Sequence, residues 1–163
     1  MRLFGITIWQ WETITRADND PYLTRLMIFN CAWFKIMLHW FVGSDDECLH
    51  DHPWSFISFI VRGGYWEHVQ FKDPYCLLCK GELRRLDGKE GACPACLTKR
   101  TKTWYKAGSL LLRPAATAHR IEIGTRPTVT LVITGPKVRA WGFWTLSGWR
   151  WWKDYRWREH CPA

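Results

Sequence analysis

No stretch of this chain approaches the roughly 20 consecutive apolar residues that a membrane-crossing helix needs. The first ten residues also lack the apolar run and small-residue cleavage site of an export signal. A cytoplasmic protein with reduced thiols is therefore expected, together with no membrane partner. Long amphipathic helical patterns are missing too, which argues against a helical bundle. Acids are scarce: 15 Asp and Glu face 23 Lys and Arg, and the resulting net charge of +8 permits an acidic partner without naming one.

What is present reads as strand. The 163 residues, 47% hydrophobic and 23% charged, suit one domain (1–163) around a single core. "LFGITIWQW" (Leu3–Trp11), "AWFKIMLHWFV" (Ala32–Val42), "SFISFIV", "YWEHVQF", "SLLLRP" and "TVTLVITG" are bulky runs, largely of period two, separated by turn-forming Asn, Asp, Gly and Pro. Gly63-Gly64 between two apolar runs is a hairpin-turn candidate. Many short strands at even spacing predict an all-β double-sheet roll or barrel. The thirteen tryptophans predict wide aromatic contacts, some of them at the surface.

Residues 72–106 break the rhythm. They hold nine Lys or Arg against four acids, a local +5 that leaves only +3 for the rest of the chain. Within them Cys76-x2-Cys79 and Cys93-x2-Cys96, thirteen residues apart, can place four thiolates tetrahedrally around Zn²⁺. A closed four-thiolate site has no open position, so this zinc is expected to be structural, the staple of a small zinc-ribbon-like insertion. Residues 135–163 have a third character, rich in Trp and Arg and without clean periodicity. The basic insertion and "WRWWKDYRWR" together suit contact with nucleic acid, by phosphate neutralisation and base stacking, or docking to a protein.

"LHDHPWSFISF" begins a buried strand with His50 and His52, two residues apart and therefore facing the same way. Two imidazoles aimed at one spot share either a metal ion or a buried polar network. Cys48 lies on the same strand face. Downstream, "AGSLLLRPAATAHRIEI" sets Gly108, Pro114, Ala116 and His119 in sequence.

These two segments resemble the paired motifs of the cupin superfamily. Gly43, His50, His52 and Gly63 match the first motif; Gly108, Pro114 and His119 match the second. "LHDHPW", "RGGYWE", "RPA…AHR" and "TGP…WGF" are similar to small cupin-like proteins of actinobacteria and their phages. The resemblance implies a cupin-type double-stranded β-helix, a jelly-roll barrel, covering roughly Ala32–Gly135. It also implies a divalent metal, Fe or Zn, held by His50, His52 and His119. Phe56 stands where the family has a metal-binding Glu, and Ala116 and Ile123 where it has Gly and Asn. Glu67 or His68 could supply a fourth group. With a metal, Cys48, Tyr65 and Glu67 would contact a small-molecule substrate in a dioxygenase-like reaction; without one, His50 and Asp51 could serve acid–base chemistry, as in the sugar epimerases of this fold. The other readings are a non-catalytic ligand binder and a polar cluster at the barrel mouth. Homodimerisation through exposed strands is a further expectation from the family. Arg113 and Arg120 could steer an anionic ligand, whereas Asp45, Asp46 and Glu47 read as a solvated turn, and His39 and His160 as bland.

Overall fold

The computed structural model describes residues 2–3, 6–15, 20–70, 99–156 and 161. Among them are the strands β1 (Arg2–Leu3), β2 (Ile6–Thr15), β3 (Pro21–Asn30), β4 (Lys35–Phe41), β5 (Leu49–His50), β6 (Phe56–Arg62) and β7 (Gly64–Gln70). There follow β8 (Arg100–Lys106), β9 (Leu110–Arg113), β10 (His119–Ile123), β11 (Thr128–Thr134), β12 (Gly142–Thr145) and β13 (Gly148–Trp151). They form a seven-stranded sheet, ordered β1-β2-β3-β4-β11-β6-β9, and a six-stranded sheet, ordered β13-β12-β5-β10-β7-β8. Every pairing is antiparallel. The all-β expectation holds.

The period-two pattern explains the layering. On β6, Ser58 and Ile60 are buried while Ile57, Phe59 and Val61 are exposed. Inward side chains from both sheets meet in one cluster of Leu23, Phe41, Ile60, Tyr65, Leu111 and Ile121. Each large apolar side chain buried there contributes about 1.5–3 kcal/mol. A smaller cluster of Leu49, Ala118 and Trp144 ties the C-terminal hairpin to β5 and β10.

Three local expectations change. Gly63-Gly64 is not a hairpin turn, because β6 and β7 belong to different sheets. The chain turns a corner there: Gly63 has φ +81°, and a Cβ on it would meet the Pro127 carbonyl at 2.7 Å. On Gly64 a Cβ would meet the Trp104 ring at the same distance. The second change concerns the basic insertion. Its last part, Arg100–Lys106, is β8 and pairs with the whole of β7; Cys76, Cys79, Cys93 and Cys96 lie outside the described residues. Third, the tail that shows no clean periodicity in sequence still carries strands: β12 and β13 form a hairpin beside β5.

Cys48 is fully buried and joined to Cys161 by a disulfide, a cross-link over 113 residues. It carries no free thiol, so the nucleophile or extra metal ligand expected at Cys48 is not there. The expectation of reduced thiols fails at this pair for the same reason.

Candidate metal centre

His50 and His119 are cross-strand partners. β5 and β10 pair through these two residues, so their rings leave the six-stranded sheet side by side. His52 lies two residues beyond His50 and faces the same way, held by a hydrogen bond from its backbone N–H to the Ala115 carbonyl at 3.0 Å. All three ring pairs have centroids 5.0 Å apart. One nitrogen from each ring lies within 4.8 Å of the others. The two nearest, His52 Nε2 and His119 Nε2, are 2.8 Å apart.

Behind His119 stands a carboxylate. His119 Nδ1 is 2.7 Å from Glu67 Oε1 and donates to it when that nitrogen carries the hydrogen. In the neutral form such a ring keeps its lone pair on Nε2, the nitrogen that faces His52. Glu67, 2% exposed, also accepts from Arg113 Nε at 2.9 Å and from Arg113 Nη2. Burial alone would raise its pKa, but the hydrogen bonds from Arg113 and His119 prevail and hold it at about 2. Arg113 Nη2 in turn reaches the Tyr105 hydroxyl at 3.3 Å. Glu67 is thus an ionised orienter whose two oxygens are already engaged.

Burial first, and then the neighbouring imidazoles, push His50 and His52 well below the ordinary histidine pKa. Both rings are therefore neutral, the state in which imidazole binds a metal. Nδ1 of His50 is buried and has no hydrogen-bond partner among the described residues. Ligand atoms bonded to one ion at about 2.0–2.1 Å sit about 2.9–3.4 Å apart, close to the His52–His119 spacing. The donor set therefore fits a divalent metal.

The three rings open onto a cavity of about 420 Å³ between the sheets. That is within the usual range for a small-molecule site. Its mouth is aromatic. Trp141 lies nearly parallel to His52 at 6.4 Å, Phe143 is 5.5 Å from His50, and Trp152 stacks on Trp141 at 5.5 Å. Phe56 packs edge-on to His52 at 4.8 Å. It supplies an apolar wall and no ligand atom.

The comparisons bear on the fold. No family model matches the sequence, and no curated protein matches it. Among solved structures, a cupin-2 domain protein of Rhodospirillum rubrum aligns with a TM-score of 0.57 at 11% identity, over 91% of this chain and 81% of that one. The chain has the cupin fold. An RmlC-like cupin of Shewanella frigidimarina aligns with a TM-score of 0.50 at 16% identity, over 78% of this chain and 84% of that one. The DMSP lyase DddQ of Ruegeria pomeroyi aligns with a TM-score of 0.53 at 14% identity, over 82% of this chain. The chain spans 59% of that lyase.

Within this cupin barrel the expected residues divide. His50, His52 and His119 converge, and Glu67 stands behind them. Tyr65 lines the cavity, 2% exposed, with burial raising its pKa; its hydroxyl is hydrogen-bonded with Ser58. His68 points to the other face of β7, where its Nε2 meets Glu122 at 2.7 Å, and it is no fourth ligand. Asp51, fully buried, turns away from the cavity and accepts from the Gly142 N–H at 2.8 Å and Trp149 Nε1 at 3.1 Å. It is a fastener and not an acid–base group. Arg113 is committed to Glu67. Asp45 and Asp46 are not a solvated turn: Asp45 accepts from the Ile121 N–H at 2.7 Å, and Asp46 accepts from the Tyr155 hydroxyl.

His39, read from sequence as bland, lines the cavity, as do Trp141 and Phe143, which the sequence did not single out. His39 shares the inward face of β4 with Met37 and Phe41, and that period-two pattern could have exposed it. Nothing in the irregular tail announced the other two. His160 lies outside the described residues.

Proposed function

We propose that this chain is a metal-dependent cupin that binds a small molecule between its sheets, and that it is a metalloenzyme of the dioxygenase-like kind. The observation that carries the reading is the convergence of His50, His52 and His119 within 4.8 Å, with Glu67 fixing the tautomer of His119. A divalent ion of the iron or zinc type, held by these three nitrogens, would supply a Lewis-acidic centre with open positions for a substrate. The chain's own part is to hold His50 and His52 neutral, orient His119 through Glu67, and screen the site from water with Trp141, Phe143 and Phe56. Three neutral ligands leave the ion's charge uncompensated, which favours an anionic or thiol group at the metal. Of the groups expected beside the substrate, Tyr65 remains the candidate, while Glu67 acts through His119. A structural neighbour that is an iron(II) form of HppE, with a TM-score of 0.52 at 9% identity, is in keeping with a divalent metal at such a centre.

A separate structural zinc on Cys76, Cys79, Cys93 and Cys96 belongs to the same reading, with the basic insertion around it as a docking face for nucleic acid or protein. A relationship to the cupin-like proteins of actinobacteria and their phages rests on the matched motifs alone.

Elemental analysis of the purified protein tests the central claim. Two metals per chain are expected, and His52→Ala or His119→Ala should remove one of them while the barrel stays folded. A wild-type protein holding only the cysteine-bound metal would overturn the enzyme reading and leave a non-catalytic ligand binder.

A further inference from the structure

A polar row crosses the inner face of the seven-stranded sheet. Glu12 on β2 stands opposite Arg25 on β3, Arg25 opposite His39 on β4, and His39 opposite Thr130 on β11. All four line the cavity that the three metal-site histidines enter from the other sheet. The two ends of the row differ. Arg25 Nε donates to Glu12 Oε2 at 2.9 Å, and Arg25 Nη2 lies 2.7 Å from the same oxygen. Thr130 is 1% exposed, and neither its Oγ1 nor Nε2 of His39, both buried, has a hydrogen-bond partner among the described residues. A buried polar atom left unpaired costs about 1–3 kcal/mol, and a threonine in a strand would ordinarily find a partner. The two atoms belong to cross-strand partners on β4 and β11 that line one cavity, a placement that a single hydrogen-bonding group could satisfy.

The chemistry of that ligand follows from charge. Burial, and then Arg25, hold the His39 pKa at about 3, so its ring is neutral near pH 7. The Arg25 groups nearest the carboxylate are engaged by Glu12, so an anion finds little left to claim. A cation would sit beside a guanidinium. A hydroxyl or carboxamide, by contrast, can give one hydrogen bond and take another between Nε2 of His39 and the Thr130 hydroxyl. His39, Thr130, His52 and His119 line one cavity of about 420 Å³, so a molecule spanning the two ends is small.

We propose that His39 and Thr130 form a subsite for a neutral hydrogen-bonding group, a hydroxyl or carboxamide, at the end of the ligand remote from the metal. The inference deepens the reading of a small-molecule cupin by naming a substrate class: small molecules with a metal-seeking head and a neutral polar tail. Its test needs no metal. Protein with ¹⁵N-labelled histidine is titrated with 1-butanol and butanamide, with 1-chlorobutane as the apolar control and butanoate as the anionic one. The His39 Nε2 resonance should shift saturably with the alcohol and the amide, and Thr130→Val should weaken both by about fivefold to tenfold, the worth of one hydrogen bond. An unmoved resonance, an equal response to 1-chlorobutane, or unchanged binding in Thr130→Val would overturn the subsite. Tighter binding of butanoate would overturn the neutral class and make Arg25 the receptor. Metal content is measured separately, so loss of the metal reading would not decide this one.

Discussion

Replacing Glu67 by Gln asks how much of the site rests on one buried ion pair. The side chains of Glu67 and Arg113 are 2% and 17% exposed, and the Arg113 fork gives Nε and Nη2 to the two carboxylate oxygens. The amide introduced by Glu67→Gln would keep one acceptor for His119 but turn an NH₂ group toward a guanidinium. Removing one partner of a buried pair costs about 3–5 kcal/mol, against the roughly 0–1 kcal/mol of an exposed pair. For a domain of this size that corresponds to a drop of about 10 °C in Tm. Urea denaturation of Glu67→Gln, Arg113→Met and the double variant gives the coupling directly, expected at about 2–3 kcal/mol. Metal affinity adds an independent readout: Glu67→Leu, which frees the His119 ring, should lower it by about 10-fold to 100-fold, and Glu67→Gln by less. Coupling below about 0.5 kcal/mol, or equal metal affinity in the Gln and Leu variants, would refute the role assigned to Glu67.

Other outcomes follow from the same geometry. His39 takes a proton near pH 6.5 when unfolded but only near 3 when folded, so its share of stability is intact above 6.5 and lost as pH falls toward 3. The loss is at most about 4–5 kcal/mol, and His39→Leu should flatten the fall in urea midpoint between about pH 6.5 and 4. Cys48 and Cys161 should resist alkylation until reductant is added, and reduction should cost up to about 4–5 kcal/mol for so long a closed loop, measured by denaturation with and without reductant. Cys76→Ser or Cys93→Ser should remove one zinc by elemental analysis and leave the histidine site occupied; global unfolding would show that the cysteines belong to the main core. Charge reversal at Arg84, Arg85, Lys99 and Arg100 should weaken salt-dependent retention on single-stranded DNA, and no retention by the wild type at low salt would remove the nucleic-acid reading.

The strands were legible because a half-buried strand writes its burial into every second residue, as β6 and β4 do. The pairing of His50 with His52 was legible for the same reason, and His119 came from the resemblance to the cupin motifs. Partnerships across sheets were not. Nothing local links Glu67 to Arg113 and His119, because β7, β9 and β10 meet only once the barrel has closed. Gly63-Gly64 carried the signature of a hairpin, and the decision to switch sheets lies in what surrounds it: Pro127 and Thr128 against Gly63, Trp104 against Gly64. Trp141 and Phe143 sit in a stretch whose aromatics fall on both faces of a short hairpin, which erases any period.

The middle residue of His50-Asp51-His52 has a practical consequence. Its two neighbours point at the cavity, while Asp51 itself reaches back to the Gly142 N–H, the Trp149 indole and Arg139. The last strands are therefore stitched to the chain between two of the three converging histidines. Trimming the protein at the end of β11, where a minimal barrel would stop, removes the wall beside the site and strands a buried carboxylate without its partners. For anyone swapping modules between proteins of this fold, the portable unit is the barrel together with its C-terminal hairpin, and the two need to be exchanged as one piece.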